Sequence, residues 1–252
     1  MNEKYLITGG SGKLGTHLKE LLSCETPTHQ QFDITDPTKI RNYLNQDYKA
    51  VIHLAAISDQ QYAANHQEES YIVNVLGCRN LAKIANEKNL KIIYISTDCV
   101  FPGTKGNYSE TDLPSPANWY GYTKLAGEWE IRLNSQNWCI IRTSFRPLKW
   151  SFPTAFTNVF TSADYVDVIA NEIFLCSKMN IEGIIHIGTQ KKSFYDLAIK
   201  SVSPKSDIHN AIGKMNLKVY EVCDGWVVNQ NTFLDITDKH GMQIRNEFRN
   251  SS

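Results

Sequence analysis

Residues 118–130 read NWYGYTKLAGEWE and set Tyr120 four positions ahead of Lys124. On a helix, positions i and i+4 share one face, so a phenol and an ammonium group can enter the same cleft. A free tyrosine ionises near pH ~10, too high for easy proton exchange at neutral pH. A neighbouring ammonium favours the phenolate and lowers that value, which would equip the pair for general acid–base work. The plain alternative is a polar turn on an exposed helix. Five residues cannot choose between the two; what the rest of the chain places beside them can.

A second chemical signal lies near the amino terminus. In LITGGSGKLGTHLKELL, Gly9, Gly12 and Gly15 recur at three-residue intervals between an apolar run and a helical pattern. Glycines let a backbone turn tightly and approach a ligand with no Cβ in the way. The helix start then offers free N–H groups and a positive dipole to a pyrophosphate. A tight turn that binds nothing has the same look, but strand–helix alternation after the loop favours a dinucleotide site. The acidic residue that usually reads the ribose, about twenty positions further on, has no well-placed counterpart in LLSCETPTHQQFDITD. Glu25 comes early, Thr26, Thr28 and His29 are neutral, and no Arg is present for a 2′-phosphate, so NAD and NADP both stay open. Asp33, after Phe32, suits a place near an adenine and equally a turn or helix cap in DITDP.

These residues need a scaffold, and the hydrophobic pattern supplies one. KYLIT (4–8), AVIHLAA (50–56), KIIYIST (91–97) and WCIIRTS (138–144) are short apolar runs suited to strands buried on both faces. LGTHLKELL, VNVLGCRNLAKIANEKN and YGYTKLAGEWEIRLN between them have helical spacing. The alternation predicts an α/β chain with a Rossmann-like, doubly wound parallel sheet. After Pro147 the rhythm changes. RPLKWSFPTAFTNVF suggests a loop over a cleft, YVDVIANEIFLCSK a helix and GIIHIGT another buried strand. The division expected is a nucleotide-binding domain over 1–147, rejoined by 161–188, and a small carboxy-terminal substrate lobe from 148–160 and 189–252. DITD occurs at 33–36 and again at 235–238 with unlike flanks, a coincidence rather than a repeat.

Composition narrows the class further. The chain has 252 residues, 42% hydrophobic and 21% charged, as in a soluble globular protein. Lys+Arg and Asp+Glu both total 26, which gives no sign of a nucleic-acid or acidic-membrane partner. The six cysteines (Cys24, Cys78, Cys99, Cys139, Cys176, Cys223) contain no C-x-x-C pair and read as reduced thiols, with no metal site. No signal segment is evident, and no apolar run approaches the ~20 residues needed to span a bilayer, so a cytoplasmic protein is expected.

Taken in order, TGGSGKLG, HLAA, VNVLG, ISTDCVFPGTKGNYSETDLPSPANWYGYTKLAGE and IRTSF resemble the extended short-chain dehydrogenases/reductases. The run 95–128 is most similar to the dTDP-4-dehydrorhamnose reductase branch and its nucleotide-sugar-modifying relatives. The resemblance is dense from Tyr5 to about Pro147 and sparse afterwards. It implies a reductase that delivers hydride to C4 of a nucleotide-linked 4-keto-6-deoxysugar. Tyr120 would be the proton donor, Lys124 its partner and the holder of the nicotinamide ribose, and Thr97 the hydroxyl that assists the carbonyl. Tyr122, two residues from Lys124, does not fit. The same resemblance implies cofactor contacts, to NADP or NAD, from Gly9, Gly12, Lys13, Leu14, Gly15, Asp33, Ile34, Leu54, Ala55, Ala56, Asn74, Tyr120 and Lys124. A nucleotide-sugar substrate and a possible homodimer follow from it too.

The residues after Thr97 sharpen the reaction. Nucleotide-sugar dehydratases of this superfamily follow the threonine with Asp–Glu; here Cys99 stands where the glutamate would, which argues against dehydration. Combined 3,5-epimerase/4-reductases place a cysteine there with a second acid–base residue after the IRTS-like strand. FRPLKWSFPTAFTNVF offers only Arg146 and Lys149, so Cys99 is expected to be a packed thiol. Trp150, Phe152 and Phe156 are expected to pack in a core and Asp164 and Asp167 to serve a helix start. A non-catalytic regulatory subunit, of the methionine adenosyltransferase beta type, is the alternative outside enzymology.

Overall fold

The computed structural model describes residues 4–44, 47–104, 106–150 and 154–200, with the backbone of 218–220. By internal packing the chain forms two compact units. One comprises Met1–Pro102, Leu113–Thr143 and Ala170–Ile185; the other comprises Gly103–Asp112, Ser144–Ile169 and His186–Ser252.

The first unit is built on β1 (Tyr5–Thr8), β2 (Cys24–Glu25), β3 (Ala50–His53), β4 (Lys91–Thr97) and β5 (Trp138–Thr143). Its helices are α1 (Lys13–Leu21), α2 (Pro37–Tyr43), α3 (Gln60–Asn65), α4 (Gln67–Tyr71), α5 (Gly77–Glu87) and α6 (Trp119–Asn134). β1 pairs in parallel with β2 and β3, β3 with β4, and β4 with β5. With a later strand, β10 (Gly183–Ile187), the sheet runs β10-β5-β4-β3-β1-β2. β1 and β3 have helical crossovers to opposite sides, so the carboxyl ends of these two strands flank the switch point where such sheets bind ligands. All residues of β1 and β3 are buried, as a sheet covered on both faces requires. Leu6, Val51, Ile92, Tyr94 and Ile140 of the sheet share one core with Phe32, Ile34 and Ile40 and with Leu81, Ala82 and Ala85 of α5.

Two elements depart from the sequence pattern. The run expected as a strand over 50–56 ends at His53: the Leu54 N–H is shared between the Thr8 carbonyl (3.3 Å) and the Thr8 hydroxyl (3.2 Å), and the Ala55 N–H goes to that hydroxyl (3.1 Å). The helix expected from VNVLG onward opens as a π-helical turn, Ile72–Leu76, before α5. A π turn adds a residue to the helix and re-aims its side chains, here Asn74.

In the second unit short strands lie within and around the expected loop after Pro147. β6 (Phe145–Arg146) pairs in parallel with β9 (Asp164–Tyr165), β7 (Thr154–Phe156) with β12 (Lys218–Tyr220), and β8 (Phe160–Thr161) antiparallel with β11 (Lys192–Ser193). The expected helix, α7 (Val166–Lys178), starts here and from Ala170 belongs to the first unit, and α8 (Phe194–Lys200) follows β11. Trp150 is buried among Ala155, Val159, Tyr165, Phe194 and Leu197, with Phe156 packed against them; Phe152 lies outside the described residues. Asp164 does more than begin α7. It accepts the Tyr165 N–H (2.9 Å) and the Thr189 hydroxyl (2.9 Å) and pairs with Lys192 and Lys200. Burial pushes its pKa up, but these donors outweigh it and hold the carboxyl below its ordinary value. The DITD copy at 235–238 lies outside the described residues.

Candidate active site

The glycine loop sits at the switch point. Gly9 has φ +69°, and a Cβ there would stand 2.8 Å from the Ala55 nitrogen, so only glycine lets the ends of β1 and β3 close on each other. Thr8 staples the same junction: its hydroxyl takes the two N–H groups after β3 and meets His53 Nδ1 at 2.7 Å. Burial drives His53 down to about 3, so this ring is neutral. α1 starts after Gly12, which offers no side-chain cap; Lys13 is exposed, and Leu14 and Gly15 are buried beneath. An uncapped first turn needs partners for its N–H groups, and a pyrophosphate supplies them. These residues fit a dinucleotide.

The other expected contacts have protein partners. One Asp33 oxygen accepts both the N–H and the hydroxyl of Thr35 (2.9 and 2.7 Å), while Asp36 caps α2. Ile34 is buried in the core. Glu25, at the end of β2, is bound by Lys4 and Tyr48. Asn74 is buried, accepts the Ile57 N–H (2.8 Å), and donates to the Ile57 carbonyl and the Thr123 hydroxyl (both 3.0 Å). Its amide therefore clamps the loop after β3 to α6. That role needs two long-range partners and has no local signature.

The catalytic candidates meet where α6 starts beside the end of β4. Asn118 caps the helix by accepting the Gly121 N–H (2.8 Å). A Cβ on Gly121 would stand 2.2 Å from the Cys99 carbonyl oxygen, so the close approach of α6 to the turn after β4 depends on that glycine. Tyr120 is half-buried at the start of α6, and Thr97, at the end of β4, is buried and among the groups that act on its phenol. Tyr122, on another face, is 47% exposed. Lys124 is 2% exposed, with its ammonium 4.0 Å above the ring of Tyr94.

The electrostatics differ from the expectation. Burial, then Cys99 and Asp98, raise the Tyr120 phenol above its ordinary range, and only the Thr97 hydrogen bond opposes them. Lys124 is not among the groups that shift it. Burial lowers Lys124 itself to about 8, against the pull of Cys78 and Glu128. Cys99 is half-buried, its thiol 3.5 Å from Asp98 Oδ1 and from Gln60 Nε2. The sequence reading also passed over Glu128, one turn beyond Lys124. It is buried and bidentate with Arg142 (2.9 and 2.7 Å), and it accepts the Ser96 hydroxyl (2.5 Å). A Glu four positions after the Lys was the available signal.

A parallel sheet with a glycine turn at its switch point and a Thr–Tyr–Lys set beside it defines a Rossmann-type chain of the extended short-chain dehydrogenase/reductase class, as the motifs led one to expect. The chain belongs to the RmlD substrate binding domain family, whose profile matches residues 3–196. A second profile, EipB-like, matches residues 187–252. Among curated relatives, dTDP-4-dehydrorhamnose reductase of Mycobacterium tuberculosis (strain CDC 1551 / Oshkosh) is 32% identical over 154 residues, 57% of this chain and 50% of that protein. Methionine adenosyltransferase 2 subunit beta of Xenopus laevis is 32% identical over 155 residues, 56% of this chain and 46% of that protein. The chain thus spans about half the length of these relatives. The solved dTDP-4-dehydrorhamnose reductase of Bacillus anthracis str. Ames, in complex with NADP, shares the fold with a TM-score of 0.80 at 23% identity over 100% of both chains.

Proposed function

We propose that this chain is an NADP-dependent reductase of a nucleotide-linked 4-keto-6-deoxysugar, acting in the cytoplasm. The observation that carries the reading is the meeting of Tyr120 and Thr97 at the end of β4, with Lys124 one turn along, in a sheet whose switch point holds an uncapped glycine loop. Gly9, Gly12, Lys13, Leu14 and Gly15 would hold the pyrophosphate; Leu54, Ala55 and Ala56 would border it, and Asp33 and Ile34 would flank the adenine. NADP is favoured over NAD because the Glu25 carboxylate, the acid near the end of β2, is already held by Lys4 and Tyr48. When bound, the dinucleotide supplies the hydride that reduces the C4 carbonyl. Tyr120 gives its proton to the carbonyl oxygen, and Lys124, charged below about pH 8, holds the ribose hydroxyls beside it. The substrate lobe would come from 148–160 and 189–252.

The test supplies the purified chain with a dTDP-linked 4-keto-6-deoxyhexose and follows the loss of reduced nicotinamide. Tyr120→Phe should lower turnover about 100- to 10,000-fold, with NADP affinity kept within about threefold. A second reading, a nucleotide-binding regulatory subunit, is favoured by the likeness to methionine adenosyltransferase 2 subunit beta. It predicts NADP binding with no turnover and no consequence of Tyr120→Phe.

A further inference from the structure

His53 is wholly buried at the end of β3, and the groups around it leave its ring one arrangement. Thr8 Oγ1 accepts the Ala55 N–H (3.1 Å), shares the Leu54 N–H (3.2 Å) with its own carbonyl, and meets His53 Nδ1 at 2.7 Å. A hydroxyl has two lone pairs and one proton, and a backbone N–H can only donate. Both lone pairs are therefore taken, and the Thr8 proton goes to Nδ1. The opposite tautomer would bring Thr8 a third donor and leave its hydroxyl proton with no acceptor among the described residues. A neutral ring that accepts at Nδ1 carries its own proton at Nε2. Nε2 stands 3.4 Å from Cys78 Sγ, which accepts from it and gives its own proton to the Asn74 carbonyl (3.0 Å). The Asn74 side chain donates to the Thr123 hydroxyl (3.0 Å), which donates in turn to the Tyr120 carbonyl (2.8 Å). Thr8, His53, Cys78, Asn74 and Thr123 are each at most 2% exposed, so bulk solvent does not reach this run of bonds. A charged imidazole has no place in it: the Lys124 ammonium lies 4.0 Å above the Tyr94 ring, whose centre is 5.4 Å from that of His53.

We propose that His53 is a positioning residue that, as the neutral Nε2–H tautomer, ties Thr8 at the mouth of the glycine loop to the helix of Tyr120 through Cys78 and Asn74, so that NADP affinity depends on a buried thiol outside the nucleotide site. The inference deepens the reductase reading and rests on its NADP site. At one end the relay keeps the Thr8 lone pairs on Leu54 and Ala55, two of the residues that would border the pyrophosphate. At the other it fixes the π turn that carries Asn74 against α6. Each bond polarises the next, so breaking the run in the middle weakens both ends.

The first measurement needs no variant. Two-bond proton–nitrogen NMR of the cofactor-free full chain, with His53 assigned through its contact with Tyr94, reads the tautomer at neutral pH. Nε2–H is expected; Nδ1–H or an imidazolium would overturn the proposal. The second compares Cys78→Ser, which keeps a donor and an acceptor, with Cys78→Ala, which keeps neither. Alanine should weaken NADP binding at least about fivefold by calorimetry, and serine should recover most of that loss. A thiol that only packs predicts the reverse order, since alanine suits an apolar site better than serine does. In a Thr8→Val background, where the relay is already cut, Cys78→Ala should change affinity by less than about twofold. Alanine no worse than serine, or a full alanine effect in that background, would also overturn the relay. NADP binding by the unaltered chain is measured beforehand: its absence sinks the reductase reading, and the tautomer then decides the relay by itself.

Discussion

Glu128→Ala should be among the costliest single changes in this chain, and its magnitude follows from burial. Glu128 and Arg142 are 1% and 2% exposed, joined by two bonds, with Ser96 on the same carboxylate. Arg142 lies 5.1 Å from the centre of the Phe101 ring, and its Nη1 has no hydrogen-bond partner among the described residues. Removing the carboxylate leaves a buried guanidinium without compensation, which costs about 3–5 kcal/mol. In a chain of this size each kcal/mol moves Tm by roughly 2–4 °C, so a fall of about 6–20 °C is expected. Thermal denaturation followed by circular dichroism reads the fall directly. The paired change Glu128→Met with Arg142→Met should recover more than half of it, since buried ion pairs often exchange for apolar pairs at little cost. A single variant that loses less than about 1 kcal/mol, or a double variant no better than the single, would refute the argument that desolvation sets the cost.

Two further outcomes follow from the site. Gly9→Ala places a methyl 2.8 Å from the Ala55 nitrogen at a backbone angle that side chains rarely adopt. It should cost about 1–3 kcal/mol of stability and at least about tenfold in NADP affinity by calorimetry, and an unchanged affinity would mean the loop is not the pyrophosphate seat. Lys124 titrates near 8 in the folded chain against 10.5 ordinarily, so between those values the unfolded chain holds a proton that the folded one has released. Stability should therefore rise with pH across that window relative to Lys124→Met, as urea midpoints taken below and above it would show. A constant difference between the two proteins would remove the depressed lysine from the account.

Much of the fold was legible because its cause is local. Buried strands show as apolar runs, helices as a repeat on one face, and the loop as glycines at fixed spacing, so β1, β4, β5 and α6 lie within a residue or so of where the pattern put them. The candidate residues were legible for the same reason: Tyr120 and Lys124 are one helical turn apart whatever surrounds them. The end of β3 at His53 was not legible, since it depends on a hydroxyl 47 positions away taking the Ala55 N–H. Nor were the strands after Pro147, whose partners lie elsewhere in the chain.

What the sequence alone determined is which groups the site has and the order in which the elements deliver them. What only tertiary structure decided is how those groups behave. The Lys124 ammonium rests on Tyr94, the Asn74 amide is taken up by Ile57 and Thr123, and the Thr97 hydroxyl donates to Asp98. Periodicity and backbone freedom are properties of neighbouring residues. Desolvation and hydrogen-bond direction are sums over groups far apart in the chain, and they take values only once folding has brought those groups together.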